Sequence, residues 1–317
     1  MSKTILITGG AGFIGSHLVD KLIQEDYKVV VMDNLSAGTK GNLNPKAKFY
    51  NVDICSPKIS QIFKKEKPKT VFHYAAQSRI KKSVENPIKD ARINILGSLN
   101  LIQNFIKSSP GNIQNKNFVF ASSVAVYGKT NIVPTPETCL MNPLSPYGIS
   151  KLTTERYLSY YYKVFGLPYI SLRMGNVYGP RQDPKSEAGI VAIFFGKILS
   201  KEQPIINGDG KQTCDFVYVN DVIRANILAL NKKQIGIFNV GTAKETSINE
   251  LFNVLKKITK FNVQKIHRPA KQGEQRRSCL DFSKAKKEWG WFPKYDLESG
   301  LDETFKWLKK FYTPKSF

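Results

Sequence analysis

The sequence predicts an α/β protein: a doubly wound parallel sheet followed by a smaller α/β C-terminal domain. Three observations lead there. Short apolar runs recur along the first half of the chain and alternate with segments whose apolar residues keep helical spacing, the pattern of parallel strands joined by crossover helices. The first such run, Lys3-Thr4-Ile5-Leu6-Ile7-Thr8, passes at once into a glycine-rich turn, Gly9-Gly10-Ala11-Gly12-Phe13-Ile14-Gly15. Beyond Gly175 the composition shifts to Gly-Pro turns and a basic tail segment, which marks a second domain.

The opening stretch carries the most information. Its first run is β-branched and apolar, as suits a strand buried on both faces. After the turn, Phe13, Ile14, Leu18, Val19, Leu22 and Ile23 fall on one side of a helix. A second apolar run, 27–32, ends at Asp33. Strand, glycine turn, helix and strand, closed by an acid, make half of a dinucleotide-binding (Rossmann) sheet. Gly9, Gly12 and Gly15 let the backbone turn tightly and approach a pyrophosphate, whose charge is favoured at the helix N-terminus beside Phe13 and Ile14. Asp33 can accept both hydroxyls of an adenosine ribose and repels a 2′-phosphate, so the expected cofactor is NAD rather than NADP.

The rest of the first domain comes in order. The turn Asn34-Leu35-Ser36-Ala37-Gly38 leads to a strand over 48–52 that ends at Asp53-Ile54. A helix over 57–65 feeds strand Thr70–His73, and Ala75-Ala76-Gln77 come next at a carboxyl end, where open α/β sheets bind ligands. Residues 79–107 read as a long helical region bent at Pro87. A strand over 117–121 ends in Ser122-Ser123, a helix spans 145–165, and a strand spans 169–173. Farther on come a helix over Ile190–Leu199 and a tight turn at Asn207-Gly208-Asp209-Gly210. Residues 216–219 and a helix over 221–230 read as a return to the first domain. The expected division is therefore 1–173 plus 216–242 for the NAD-binding domain, and 174–215 plus 243–317 for the second.

Composition excludes several classes. No apolar run approaches the ~20 residues needed to span a bilayer. Met1-Ser2-Lys3 leads straight into the first strand with no signal peptide, and the four cysteines are widely spaced without a C-x-x-C pair. Both suit a reducing cytoplasm. The three histidines are scattered, so no metal site is expected. The net charge of +23 comes from lysines spread over predicted helix faces. A nucleic-acid footprint is a stripe or a patch, so this distribution argues against nucleic acid as a partner. It would also help capture anionic substrates.

Tyr147-Gly148-Ile149-Ser150-Lys151 carries the chemistry. Residues i and i+4 share a helix face, which puts the lysine ammonium beside the phenol and favours the phenolate. Bringing a phenol from ~10 toward neutrality takes about three pKa units, roughly 4 kcal/mol, which the ammonium and an oxidised nicotinamide ring together can supply. Ser123 offers a hydroxyl to the same substrate oxygen.

These motifs, with Asp53-Ile54, His73-Tyr74-Ala75-Ala76-Gln77, Val126-Tyr127-Gly128 and the run from Gly175 to Pro184, resemble the extended short-chain dehydrogenases/reductases over nearly the whole chain. Within that superfamily the chain is most similar to the UDP-glucose (UDP-galactose) 4-epimerases. The resemblance implies a UDP-sugar substrate and a homodimer paired through helices near 92–105 and 153–164. It makes Tyr147, Lys151 and Ser123 catalytic, puts adenine at Asp53 and Ile54, and lines the cofactor with Ala75, Ala76, Gln77 and Asn94, alongside Asn34, Ser36 and Gly38. Asn176 and the backbone near Val191 would hold the UDP.

The resemblance also exposes differences. Related 4,6-dehydratases carry an Asp-Glu pair just before the tyrosine matching Tyr127, and related decarboxylases keep a glutamate there; this chain has Val124 and Ala125. A UDP-glucuronate 4-epimerase stays open as an alternative, as does a non-enzymatic NAD- or RNA-binding protein on this fold. Ser278 stands where a tyrosine would exclude N-acetylated sugars, so the sugar pocket is expected to admit them. Two arginines expected at the UDP phosphates are replaced by Cys214 and Lys271. Cysteine offers no charge and lysine offers a point charge in place of a fork, so weaker grip on the diphosphate is expected.

Overall fold

A computed structural model of the chain describes residues 3–108, 111, 113–184, 189–232, 234–262, 264–270 and 276–311. In chain order, β1 is Thr4–Thr8, α1 Phe13–Gln24, β2 Lys28–Asp33, β3 Lys48–Asn51, α2 Ile59–Glu66 and β4 Thr70–His73. Then come α3 Ile80–Glu85, α4 Pro87–Ala91, a π-helical turn Arg92–Leu96, α5 Gly97–Lys107, β5 Asn117–Ser123, α6 Pro146–Phe165 and β6 Tyr169–Met174. The remainder is β7 Asn176–Tyr178, α7 Ile190–Leu199, β8 Ile205–Asn207, β9 Thr213–Cys214, β10 Phe216–Tyr218, α8 Val219–Asn231, β11 Gly236–Val240, β12 Thr246–Ser247, α9 Ile248–Thr259, β13 Ile266–Arg268, α10 Ser283–Trp289 and α11 Leu297–Phe311.

The main sheet has seven strands in the order β11-β6-β5-β4-β1-β2-β3, and the pairs on either side of β1 run parallel. The strand order reverses between β1 and β4, the switch point at which open sheets of this kind bind ligands. Ile5, Leu6 and Ile7, the centre of β1, are all buried, as befits a strand covered on both faces. Leu6, Val30, Phe63, Val71, Phe105, Phe118 and Leu158 belong to one buried cluster. Fully burying a side chain of this size contributes roughly 1.5–3 kcal/mol. Helix α1 buries Leu18, Val19 and Leu22 of the expected stripe, while Phe13, Ile14 and Ile23 are half-buried.

The long helical region does bend at Pro87, because Asn86 ends α3 and caps α4 by accepting from the Lys89 amide. The chain forms two compact units. One comprises residues 1–126, 145–173 and 223–238; the other comprises 127–144, 174–222 and 239–317. The expected boundaries differ from these in three places. Residues 216–219 do not rejoin the main sheet, because β10 pairs in parallel with β7 in a sheet of its own. Residues 239–242 fall in the second unit, where Thr242 is bound to Asp215. The loop after Val126 also belongs there, since the Tyr127 hydroxyl donates to Asn239 and the Thr135 amide to the Cys279 carbonyl.

The second unit has no large sheet among the described residues. Its strands pair two by two, as β7 with β10, β9 with β12 and β8 with β13. Two carboxylates with no exposed surface tie the connecting segments together. Asp215 accepts from the Thr242 amide at 2.7 Å, the Thr242 hydroxyl at 2.6 Å and the Leu280 amide at 3.0 Å. Asp221 accepts from the amides of Lys294 and Tyr295. Among the described residues no helix is long and apolar enough to cross a membrane.

Candidate active site

The chain leaves β1 at Gly9 with φ +70°. A Cβ there would sit 2.6 Å from the Ala75 nitrogen, so glycine is what lets the turn pass the end of β4. A Cβ on Gly15 would strike the Gly9 carbonyl oxygen, so the first turn of α1 lies directly against the loop. Gly12 starts that helix with no side-chain cap and no acid in the first turn. The N–H groups and the positive end of the helix dipole at Phe13 and Ile14 therefore form a seat for an anion.

At the end of β2, Asp33 is buried and accepts from the Ala11 amide at 3.0 Å and the Leu35 amide at 2.8 Å. Each oxygen retains acceptor capacity for a ribose hydroxyl. Asn34 donates to Asp53 at 2.8 Å and accepts from the Ser36 amide at 3.1 Å, which fixes the loop after β2. A Cβ on Gly38 would meet the Ala11 carbonyl carbon at 2.6 Å, and Ile54 is buried next to Asp53. The glycine floor, the uncapped helix and the buried acid on the neighbouring strand fit a dinucleotide.

Beyond β4, the Ala75 amide donates to the Thr8 hydroxyl at 3.2 Å, and Ala76 is next in the same loop. Gln77 and Asn94 exchange two hydrogen bonds, each 2.9 Å: the Gln77 amide donates to Oδ1, and Nδ2 donates to the Gln77 carbonyl. Asn94 sits in the π-turn and is 3 % exposed.

Helix α6 opens with Ser145 accepting from the Gly148 amide and Pro146 in its first turn, as helix starts favour. Ser123, at the end of β5, acts on the Tyr147 phenol in the direction that favours its ionised form. The i,i+4 spacing does bring Lys151 to the tyrosine, with Nζ 5.7 Å from the ring centre. Its hydrogen bond, however, goes to the Ala121 carbonyl at 2.8 Å, across from the Phe120 ring at 4.8 Å. Burial pushes the Tyr147 phenol up to about 12, opposed by Ser123. Burial also pulls Lys151 down to about 8, opposed by Asp90 and Glu155. The lysine alone thus leaves the phenol protonated, and a further positive charge is needed to ionise it.

In the second unit, the Asn176 amide donates to the Asp215 carbonyl at 2.7 Å, and Val191 is buried in the first turn of α7. Ser278 is buried; its amide donates to the Thr213 carbonyl, and its Oγ has no hydrogen-bond partner among the described residues. Lys271 lies outside the described residues. Cys214 is opposite Thr246 in the β9–β12 pair. Two arginines nearby are already engaged: Arg276 forks onto Asp209 at 2.9 and 2.7 Å, and Arg277 forks onto Glu245 at 2.9 and 2.5 Å.

Several polar residues of the first unit's site are not announced by the sequence. Ser150 accepts from Asn94 at 3.1 Å, and Glu155 holds Arg173 at 2.6 Å and the Ser122 hydroxyl at 2.6 Å, all out of solvent. Asp90 binds Gln77 and Asn94. The Asp90–Asn94 spacing of i,i+4 is the one signal of them that the sequence holds.

A serine–tyrosine–lysine cluster on the strand and helix that succeed such a dinucleotide seat defines the extended short-chain dehydrogenase/reductase class. The model of the NAD-dependent epimerase/dehydratase family matches residues 5–241, and the chain belongs to that family. A putative UDP-glucose 4-epimerase from Methanocaldococcus jannaschii is 48% identical over 306 residues, covering 96% of this chain and 98% of that one. The crystal structure of the Thermotoga maritima UDP-glucose 4-epimerase with UDP-glucose superposes with a TM-score of 0.94 at 47% identity, covering 97% of this chain and 99% of the other. A UDP-N-acetylglucosamine 4-epimerase from Methanobrevibacter ruminantium, in complex with UDP-N-acetylmuramic acid, has a TM-score of 0.91 at 36% identity, with 98% and 99% covered.

Proposed function

We propose that the chain is an NAD-dependent UDP-sugar 4-epimerase that interconverts UDP-glucose and UDP-galactose. The observation that carries this reading is the Ser123–Tyr147–Lys151 cluster with Val124 and Ala125 beside it, which keeps the groups for proton exchange at a sugar hydroxyl and lacks acids for elimination. Tyr147 takes the proton of the sugar 4-hydroxyl, and Ser123 hydrogen-bonds the same oxygen. Bound NAD supplies the hydride acceptor and donor at C4, together with a positive charge beside the phenol. Lys151, anchored on Ala121, adds a second positive charge and holds the cofactor ribose. The 4-keto sugar turns over about its phosphate linkage, and Tyr147 returns the proton to the oxygen on the other face.

Gly9, Gly12, Gly15 and the start of α1 hold the pyrophosphate, Asp33 the adenosine ribose, and Asp53 and Ile54 the adenine. The residues of the second unit assigned to UDP are Asn176, Val191, Lys271 and Ser278. A small, buried Ser278 whose Oγ has no partner among the described residues favours a substrate range that includes N-acetylated sugars. Ile80, Val84, Ile88, Leu96, Tyr157 and Tyr160 are exposed on α3, α4, the π-turn and α6, and we assign this apolar face to a homodimer. Sedimentation at twice the 35.8 kDa chain mass is the expected result. Four free cysteines suit a cytoplasmic enzyme.

The test is to incubate the purified protein with UDP-galactose, UDP-N-acetylgalactosamine and UDP-glucuronate and to separate the products. The first two are expected to yield their 4-epimers without change of mass. Loss of water or carbon dioxide would make the enzyme a dehydratase or a decarboxylase, epimerisation of UDP-glucuronate alone would move the substrate assignment, and no turnover at all would leave a binding protein.

A further inference from the structure

Asp90 lies in α4, 1 % exposed, and takes no part in the proton and hydride transfers assigned to Tyr147 and NAD. Its Oδ1 accepts from Gln77 Nε2 at 2.8 Å and from Asn94 Nδ2 at 3.1 Å. The same Asn94 nitrogen reaches Ser150 Oγ at 3.1 Å, and Ser150 Oγ donates to the Tyr147 carbonyl at 2.9 Å. A continuous line of contacts thus runs from Asp90 to the turn of α6 that carries Tyr147 and Lys151. Oδ2 of Asp90 is buried without a hydrogen-bond partner among the described residues. A buried carboxylate oxygen left so costs free energy unless a counter-charge offsets it.

Lys151, buried on the turn of α6 that this line reaches, is the cation that can serve as that counter-charge. Two carboxylates act on it, Asp90 and Glu155. Glu155 is already bound to Arg173 and Ser122, whereas Asp90 makes no ion pair among the described residues. We propose that Asp90 is a positioning residue and the buried counter-charge of the Tyr147–Lys151 pair, holding Asn94 and Gln77 through one oxygen while its negative charge acts on Lys151. The assignment rests on the reading of Tyr147 and Lys151 as the reacting pair.

The charge acts on both groups with one sign. It opposes the burial that lowers Lys151, and it adds to the burial that raises Tyr147. The other groups facing Lys151 are the Ala121 carbonyl and Phe120 ring of β5, the Tyr147 ring and Glu155 of α6, and His73 of β4, which burial holds neutral at about 3. Removing the charge of Asp90 should therefore lower the proton affinity of lysine and tyrosine together. A purely structural role would reduce activity and move neither.

Asp90→Asn keeps an oxygen that can accept from Gln77 and Asn94 but carries no charge. Carbon NMR of protein labelled at lysine Cε reads the titration directly, without any turnover, and loss of one signal in Lys151→Arg identifies Lys151. Lys116, lowered to about 8 by burial and by Lys69, and bonded to the Phe105 carbonyl, is an internal control. The expected result is a Lys151 midpoint lower by about half a pH unit or more in Asp90→Asn, with Lys116 unmoved. Asp90→Glu, which keeps the charge, should leave Lys151 near its original midpoint. In turnover, both limbs of the pH profile should move to lower pH. An unmoved Lys151, or an equal shift at Lys116, overturns the assignment. Asp90→Ser serves if the amide variant does not fold; failure of both neutral variants to fold also overturns it, because a counter-charge of this kind is dispensable for folding. A displaced Lys151 in a protein that turns over no UDP-sugar supports Asp90 and retires the epimerase reading alone.

Discussion

The two units of this chain are held together in different ways. The first is organised by main-chain ladders: seven strands, a buried apolar cluster, and polar groups that gather where the strand order reverses. The second has only paired strands of two or three residues among the described ones, and its segments are joined by the buried carboxylates of Asp215 and Asp221 accepting backbone amides. A ladder spreads its stabilisation over many residues, so the side chains assigned to catalysis are replaceable without loss of fold. A carboxylate that ties two segments concentrates stabilisation in one residue.

The largest effect expected from this contrast is on activity alone. Tyr147→Phe should lower turnover roughly a hundredfold to ten-thousandfold while leaving the thermal midpoint nearly unchanged. Turnover within tenfold of the unmodified protein would remove Tyr147 from the reaction. Asp215→Ala is the reciprocal case. It strands the Thr242 and Leu280 amides and should cost the second unit about 3 kcal/mol. All three tryptophans, Trp289, Trp291 and Trp307, lie in that unit, so fluorescence in urea reports it selectively. Loss of less than about 1 kcal/mol would show that the unit does not depend on its carboxylates.

The first unit has a titratable weak point of its own. His73 is buried between the Thr8 and Ser98 hydroxyls, and burial, with Lys151 nearby, lowers it to about 3. Between that value and the unfolded value near 6.5 the unfolded chain binds a proton that the folded one does not. Its contribution to stability is therefore complete above about pH 6.5 and is lost as the pH falls through that window, by about 2 kcal/mol between pH 6.5 and 5. Unfolding monitored by far-UV circular dichroism checks this, and His73→Gln should flatten the slope. The smallest effect concerns the residues of the second unit proposed to hold UDP. Cys214→Arg should raise UDP affinity severalfold by calorimetry, less at high salt. No change would mean that the cysteine does not face the phosphates.

The legibility of the sequence divides along the same line. In the first unit, chemistry and backbone direction are written in contiguous stretches: β1, the glycine turn, α1 and Asp33 form one unbroken segment, and Tyr147 and Lys151 lie one helical turn apart. Asp90 is hidden there because a lone acid in a helical segment reads as a solvent-facing charge until its partners, Gln77 and Asn94, are seen to surround it. In the second unit the anchors are single residues whose partners are far along the chain, 65 positions for Asp215 and Leu280. No local pattern announces such a pair, and strands as short as β9 and β12 show no alternation to read. The expected return of 216–219 to the first domain fails for the same reason: a short apolar run fits any sheet, and partner choice is decided by the rest of the chain.

The π-turn at Arg92–Leu96 governs how this segment can change in length. Each residue of an α-helix advances about 100° around the axis, whereas a π-turn takes one more residue to complete a revolution and so carries it without turning the flanking segments out of phase. Here Asp90 and Asn94 precede or lie within that turn and point toward polar partners, whereas Leu101, Ile102 and Phe105 come after it and point into the core. A one-residue insertion or deletion in the regular turns on either side has no such outlet and rotates the two sets apart by about 100°. Insertions and deletions that surface loops absorb freely are thus barred from those regular turns, where the length of the chain is itself a determinant of the site.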